Sequence, residues 1–170
     1  MKARIWFGPG LAVLLSAGGC QAQNESQNVP PLSDILTCQT DMDAYRQLSP
    51  ELLAGGPVMK KLGLTKTAPA EYRPSKPIRL YDKPIHSVIF SAKGPMAVLD
   101  TADVDSVAQA MEITTEYDPA GNVIGERTVD QAFSAVGDQS FFLAASLKLA
   151  TSPAYPEKTL AGCEYLVEKK

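Results

Sequence analysis

The residues whose chemistry is easiest to assign from the sequence are the three cysteines, Cys20, Cys38 and Cys163. Three thiols cannot all be paired within one chain, so at least one of them has another role. If a different reaction uses Cys20, then Cys38 and Cys163 form an even pair, which predicts a disulfide in an oxidising compartment. Two buried free thiols are the alternative.

The chain has a single histidine, His86, in a segment with the composition of a β-strand. A nucleophilic hydrolase usually pairs its serine or cysteine with a histidine base, and a zinc site needs several His or Cys ligands. We therefore interpret His86 as an ordinary strand residue. We assign no catalytic residue, metal ligand or cofactor to this sequence.

Three carboxylates, Asp100, Asp103 and Asp105, lie where a predicted strand meets a predicted helix. Such a cluster could bind calcium or flank a glycosidic bond. Acidic side chains at a helix start also accept hydrogen bonds from unpaired N–H groups and complement the helix dipole. We favour this capping role, and an enzyme that uses carboxylates alone stays as an alternative.

The N-terminus has the order of an export signal. Lys2 and Arg4 precede the apolar run Leu11–Leu15, and small residues follow from Ser16 to Gly19. The apolar run is shorter than the roughly 20 residues that span a bilayer. Residues 1–19 are therefore predicted to be a signal peptide that is removed.

The segment Leu15–Cys20 (LSAGGC) resembles the lipobox of bacterial lipoproteins, with Ala17 where that family usually has Leu, Val or Ile. The resemblance implies that Cys20 becomes the lipidated first residue and attaches the protein to a membrane. Gln21 after the cysteine implies the periplasmic face of the outer membrane in a Gram-negative cell. The alternatives are a soluble periplasmic or secreted protein cut after Ala22, a retained N-terminal anchor, or a misassigned start codon.

Residues 20–32 are predicted to be the lipidated cysteine and a flexible tether, because residues 21–31 are mostly polar and end in two prolines. An eleven-residue coil reaches roughly 18 Å. Residues 33–170 are predicted to be one domain. Without the two basic residues of the signal, 14 basic side chains of the 16 remain against 19 acidic ones, a net charge of about −5. This balance argues against nucleic acid as a partner, and phosphate-binding glycine motifs for a nucleotide are absent from the sequence.

The predicted fold class is α+β, an antiparallel sheet of about five to seven strands with an N-terminal helix and one further helix packed on it. The N-terminal helix is predicted over residues 33–48 with Ser33 as its N-cap, a short turn of helix over 49–53, and the further helix over 100–111. Residues 64–77 are predicted to be a surface loop that could bind a partner or only connect. Alternation and turn signals predict these strands: 78–81, 86–92, 96–99, 113–117, 123–129, 140–149 and 159–168.

The segment Tyr117–Asn122 (YDPAGN) joins two of these strands and resembles one unit of the tyrosine-aspartate repeats of large bacterial shell proteins. A single copy predicts a hairpin turn and carries no function.

These features together predict a non-enzymatic binding module of the cell envelope with a protein partner. One concrete form is an inhibitor or immunity protein against a cell-wall-directed enzyme, since an acidic domain is steered towards basic enzymes. The alternative is a structural or assembly component of an envelope complex.

Lipidation of Cys20 has a direct test, the intact mass of the protein extracted from membranes. We expect the mass of residues 20–170 plus acyl chains, and we expect a Cys20→Ser variant to lose both the acyl mass and the membrane association. An acyl-free chain that begins after Ala22 would contradict the prediction.

Overall fold

The computed structural model describes residues 29–136 and 139–169. Its helices are α1 (Leu32–Leu36), α2 (Met42–Ala54), α3 (Pro57–Lys61) and α4 (Val104–Met111). Its strands are β1 (Leu64–Ala68), β2 (Glu71–Pro74), β3 (Arg79–Leu80), β4 (Lys83–Ser91), β5 (Gly94–Leu99), β6 (Thr115–Tyr117), β7 (Val123–Val136), β8 (Gln139–Ala150) and β9 (Thr159–Lys169). The predicted signal peptide, Cys20 and most of the tether lie outside the described residues.

The strands form one sheet in the order β1-β2-β4-β5-β9-β8-β7-β6, and β3 pairs with β4. Every pairing in the described part of the chain is antiparallel, which confirms the predicted sheet type. The predicted number of five to seven strands is wrong, because the described residues form a sheet of nine strands. The last strand, β9, lies between β5 and β8 and is therefore central.

The two additional strands are β1 and β2, in the segment that was predicted to be a surface loop. They form an antiparallel hairpin in which Ala68 pairs with Glu71. The connecting residues are Pro69 and Ala70, and Ala70 has a φ of 60° where a glycine is usual, so the turn gives no sequence signal. Tyr72 is buried, and its ring packs edge-to-face with the ring of Phe90, with centroids 5.7 Å apart. Tyr72 therefore belongs to the core.

The continuous N-terminal helix over 33–48 is also wrong, because α1 ends at Leu36 and α2 begins at Met42. Ser33 lies inside α1 and is not its N-cap. The N-cap of α2 is Asp41, whose carboxylate accepts hydrogen bonds from the backbone N–H groups of Asp43 (2.9 Å) and Ala44 (3.1 Å). Between the helices Cys38 has a φ of 57°, which no helix continues through.

Helix α2 continues through Pro50 to Ala54, so residues 49–53 do not begin a separate helix. Proline lacks the N–H that would bond the Arg46 carbonyl four residues earlier. The Ser49 hydroxyl donates to that carbonyl instead, at 3.2 Å. The helix ends at Gly55, which takes the left-handed conformation that favours glycine.

The four helices of the described residues contribute to one hydrophobic cluster on one side of the sheet. The predicted number of helices packed on the sheet, two, is therefore too low. Helix α4 buries Val107, Ala108 and Met111 and begins at Val104, later than the predicted residue 100. Within the described residues no helix is long and apolar enough to cross a membrane.

A disulfide joins Cys38 to Cys163, with a Cα–Cα distance of 5.2 Å. Cys38 lies between α1 and α2, and Cys163 lies in β9 with no exposed surface. The bond therefore attaches the N-terminal helices to the central strand. Its loop of 125 residues is long, so the unfolded chain loses much conformational entropy when the bond closes.

We expect a Cys38→Ala, Cys163→Ala double variant to lower the free energy of unfolding by about 2–5 kcal/mol, measured by urea denaturation. Reduced wild-type protein should unfold at the same urea concentration as this variant. Intact mass should rise by two hydrogens on reduction under denaturing conditions. An unchanged mass, or equal stability of oxidised and reduced protein, would contradict the disulfide.

Candidate functional site

An apolar groove of about 240 Å³ lies between α2 and the strands β8 and β9, beside the turn that connects β4 to β5. We call it the α2–β9 groove. Its floor is formed by Tyr45, Leu143 and Tyr165, which are all buried. Its rim carries Leu53 and Val167, each 52% exposed.

The floor is held by contacts of Tyr165. Its ring stacks on the ring of Tyr45, with centroids 3.7 Å apart and planes at 11°. Its hydroxyl donates to the Ile35 carbonyl at 3.1 Å, so β9 is attached to α1 as well as to α2. Burial raises the pKa of Tyr45 to about 12 and raises the pKa of Tyr165 as well.

The wall on the helix side is formed by Met42, Arg46, Ser49 and Leu53 of α2. These residues follow one another at steps of three and four, so they share one face of the helix. The adjacent face buries Tyr45, Leu48 and Leu52 in the core. Helix α2 therefore packs on the sheet with one face and borders the groove with the next.

The turn between β4 and β5 approaches β9 closely because of two glycines. A Cβ atom at Gly94 would overlap the Cys163 carbonyl, and one at Gly162 would overlap the Pro95 carbonyl. The Tyr165 N–H donates to the Lys93 carbonyl at 2.8 Å, and the Lys93 N–H donates to the Ser91 hydroxyl at 3.2 Å. The backbone of Lys93 is thus fixed beside the groove.

The opposite face of the sheet has a different character. Lys148 contacts Glu126 and lies 3.1 Å from a carboxylate oxygen of Glu164. Hydrogen bonding to Lys148 lowers the pKa of Glu126. On this face, Tyr155 donates to Glu71 at 3.3 Å from the connection between β8 and β9. Because the carboxylates on this face already accept hydrogen bonds from side chains of the protein, we place the candidate site at the groove.

The carboxylates that the sequence singled out do not form one site. Asp103 is the N-cap of α4 and accepts from the Ser106 N–H at 3.2 Å, which confirms the capping interpretation for this residue. Asp105 lies in the first turn of α4. Asp100 instead bonds to Lys158, which lowers the pKa of Asp100, and lies 3.9 Å from the imidazole of His86.

In the part of the chain that the structure describes, no three His, Cys, Asp or Glu side chains are placed to hold a metal ion. The groove was not predicted from the sequence. The sequence signal for the groove was that residues 42, 46, 49 and 53 share one face of α2 beside its core face. The predicted helix over 33–48 ended before residue 53, so this face was not recognised.

Comparison of the chain with protein-family models, curated proteins and solved structures gave no significant match.

The two floor tyrosines predict how stability changes with pH. Their pKa values are raised above 10.0 in the folded state, so the folded protein holds these protons more tightly than the unfolded chain does. The free energy of unfolding should be unaffected by them below about pH 10 and should fall as the pH rises above it.

Urea denaturation at several pH values between about 8 and 12 measures this dependence. A Tyr45→Phe variant should show a shallower fall above pH 10, because one titrating group is removed. Tyr117→Phe, at a side chain that is 77% exposed, is the control and should keep the wild-type slope. Equal slopes for Tyr45→Phe and the wild type would contradict the assignment.

Proposed function

We propose that this protein is a non-enzymatic binding module of the bacterial envelope, anchored by lipid at Cys20, and that the α2–β9 groove binds a protein partner. The observation that carries the proposal is the exposure of Leu53 and Val167 above a floor of buried aromatic rings. Large apolar side chains grouped around a concavity commonly mark an interaction site.

The size of the groove favours a protein partner over a free small molecule. Its volume of about 240 Å³ is below the roughly 300–1,000 Å³ of small-molecule sites. It is large enough for one bulky side chain of a partner. Interfaces often obtain most of their binding energy from such an anchor residue in a pocket.

The most concrete form of this function is an inhibitor or immunity protein that acts on a cell-wall-directed enzyme. The net charge of about −5 for residues 20–170 would accelerate encounter with a basic enzyme. A tether of roughly 18 Å would keep the domain close to the periplasmic face of the outer membrane, where such an enzyme reaches its substrate.

The test is to measure binding to, and inhibition of, a panel of cell-wall hydrolases and toxins by the purified protein. We expect one of them to be inhibited. A Leu53→Glu variant should weaken this binding tenfold or more, because it places a charge where the partner's apolar anchor would lie.

The matched control is Tyr117→Glu, which introduces the same charge at an exposed apolar side chain of β6, outside the groove. It should bind as the wild type does. Full activity of every enzyme in the presence of the protein would contradict the proposal that the protein is an inhibitor. Equal effects of the two variants would contradict the groove as the docking site.

A further inference from the structure

The charged side chains of the groove rim differ in whether they are paired. Arg46 and Asp43 of α2 form an ion pair at 3.1 Å. Glu164 also lines the groove, but its carboxylate lies on the opposite face of the sheet, where it pairs with Lys148. Lys93 is exposed, and no carboxylate of the described residues forms an ion pair with it. Among the described residues that line the groove, Lys93 is therefore the one cation without an ion-pair partner, and it lies next to the apolar floor.

The position of this cation is fixed by the backbone. Both the N–H and the carbonyl of Lys93 are hydrogen-bonded, the carbonyl to β9 itself, and Gly94 lets the turn lie directly on that strand. The ammonium group is therefore within the length of one lysine side chain of a fixed backbone position beside the floor. An occupant of the groove that carries an anion next to its apolar group would meet both features at once.

The tether of this chain does not have the side chains to be that occupant. Residues 20–28 read CQAQNESQN and contain no large apolar side chain beyond the cysteine. Glu25 could pair with a lysine, but no neighbouring residue could fill the floor. The chemistry of the groove thus favours an external protein segment.

We propose that the α2–β9 groove recognises a large apolar side chain directly adjacent to a carboxylate in the partner, with the apolar group on Tyr45 and Tyr165 and the carboxylate at Lys93. This inference rests on the proposed function and specifies the partner's motif. Burial of the apolar group supplies most of the affinity, and Lys93 supplies selectivity between acidic and neutral neighbours.

Two end-capped peptides test this directly, one containing Trp-Glu and the other Trp-Gln at the same position. Their affinities for the full protein extracted from the envelope are measured by ligand-observed NMR at millimolar peptide concentrations. We expect Trp-Glu to bind about threefold more tightly, the effect of an exposed ion pair, and we expect the difference to disappear at high salt.

Variants locate the effect. Lys93→Gln should abolish the preference and leave the affinity for Trp-Gln unchanged, whereas Leu53→Glu should weaken binding of both peptides. Lys66→Gln removes the same charge from an exposed position on β1, outside the groove, and should keep the preference. Thermal unfolding of each variant establishes that it is folded.

Equal affinities for the two peptides, or equal effects of Lys93→Gln and Lys66→Gln, would overturn this inference. If Leu53→Glu still disrupts enzyme binding in that case, the proposed function stands and only the motif is wrong. If Leu53→Glu affects neither enzyme nor peptides, both fall. Sedimentation of the protein alone should give a monomer, and a dimer that Leu53→Glu dissociates would identify a second copy as the occupant instead.

Discussion

The structure depends on the position of β9 between β5 and β8, since this strand joins two halves that are otherwise separate meanders. Along the same face, Cys163 bonds covalently to Cys38 and Tyr165 binds α1 and α2. Close approach of β5 requires Gly94 and Gly162. The last strand of the chain therefore fixes both the sheet and the helices that cover it.

The α2–β9 groove is a consequence of this arrangement. Tyr165 draws α2 onto the sheet through Tyr45, and beyond that contact α2 and β9 leave a gap. Leu53 and Val167 remain exposed at its edge, although burying either one more completely would be favourable for folding alone. An exposed apolar rim on a floor with fixed geometry is what a binding site needs, because little conformational entropy is lost when a partner docks.

Much of the sheet could be predicted from the sequence, because β3 to β9 have alternating or β-branched residues and the β4–β5 and β6–β7 turns have glycine. The β1–β2 hairpin could not be, since Ala70 takes the left-handed conformation without a local signal. The break between α1 and α2 was hidden because helical spacing continues through Cys38, whose backbone is set by tertiary structure. The groove could not be predicted either. Its apolar residues are of the same types as core residues, and only the packing of the folded chain determines which of them stay exposed.

Docking of a protein partner in the groove can be tested with a photo-crosslinking amino acid at position 53 of the membrane-anchored protein in intact cells. We expect one discrete protein adduct, whose crosslinked residue, identified by mass spectrometry, is a large apolar side chain next to Asp or Glu. The same probe at position 117 should give no such adduct. Identical adducts from positions 53 and 117, or no protein adduct from position 53, would show that the groove is not where a protein partner docks.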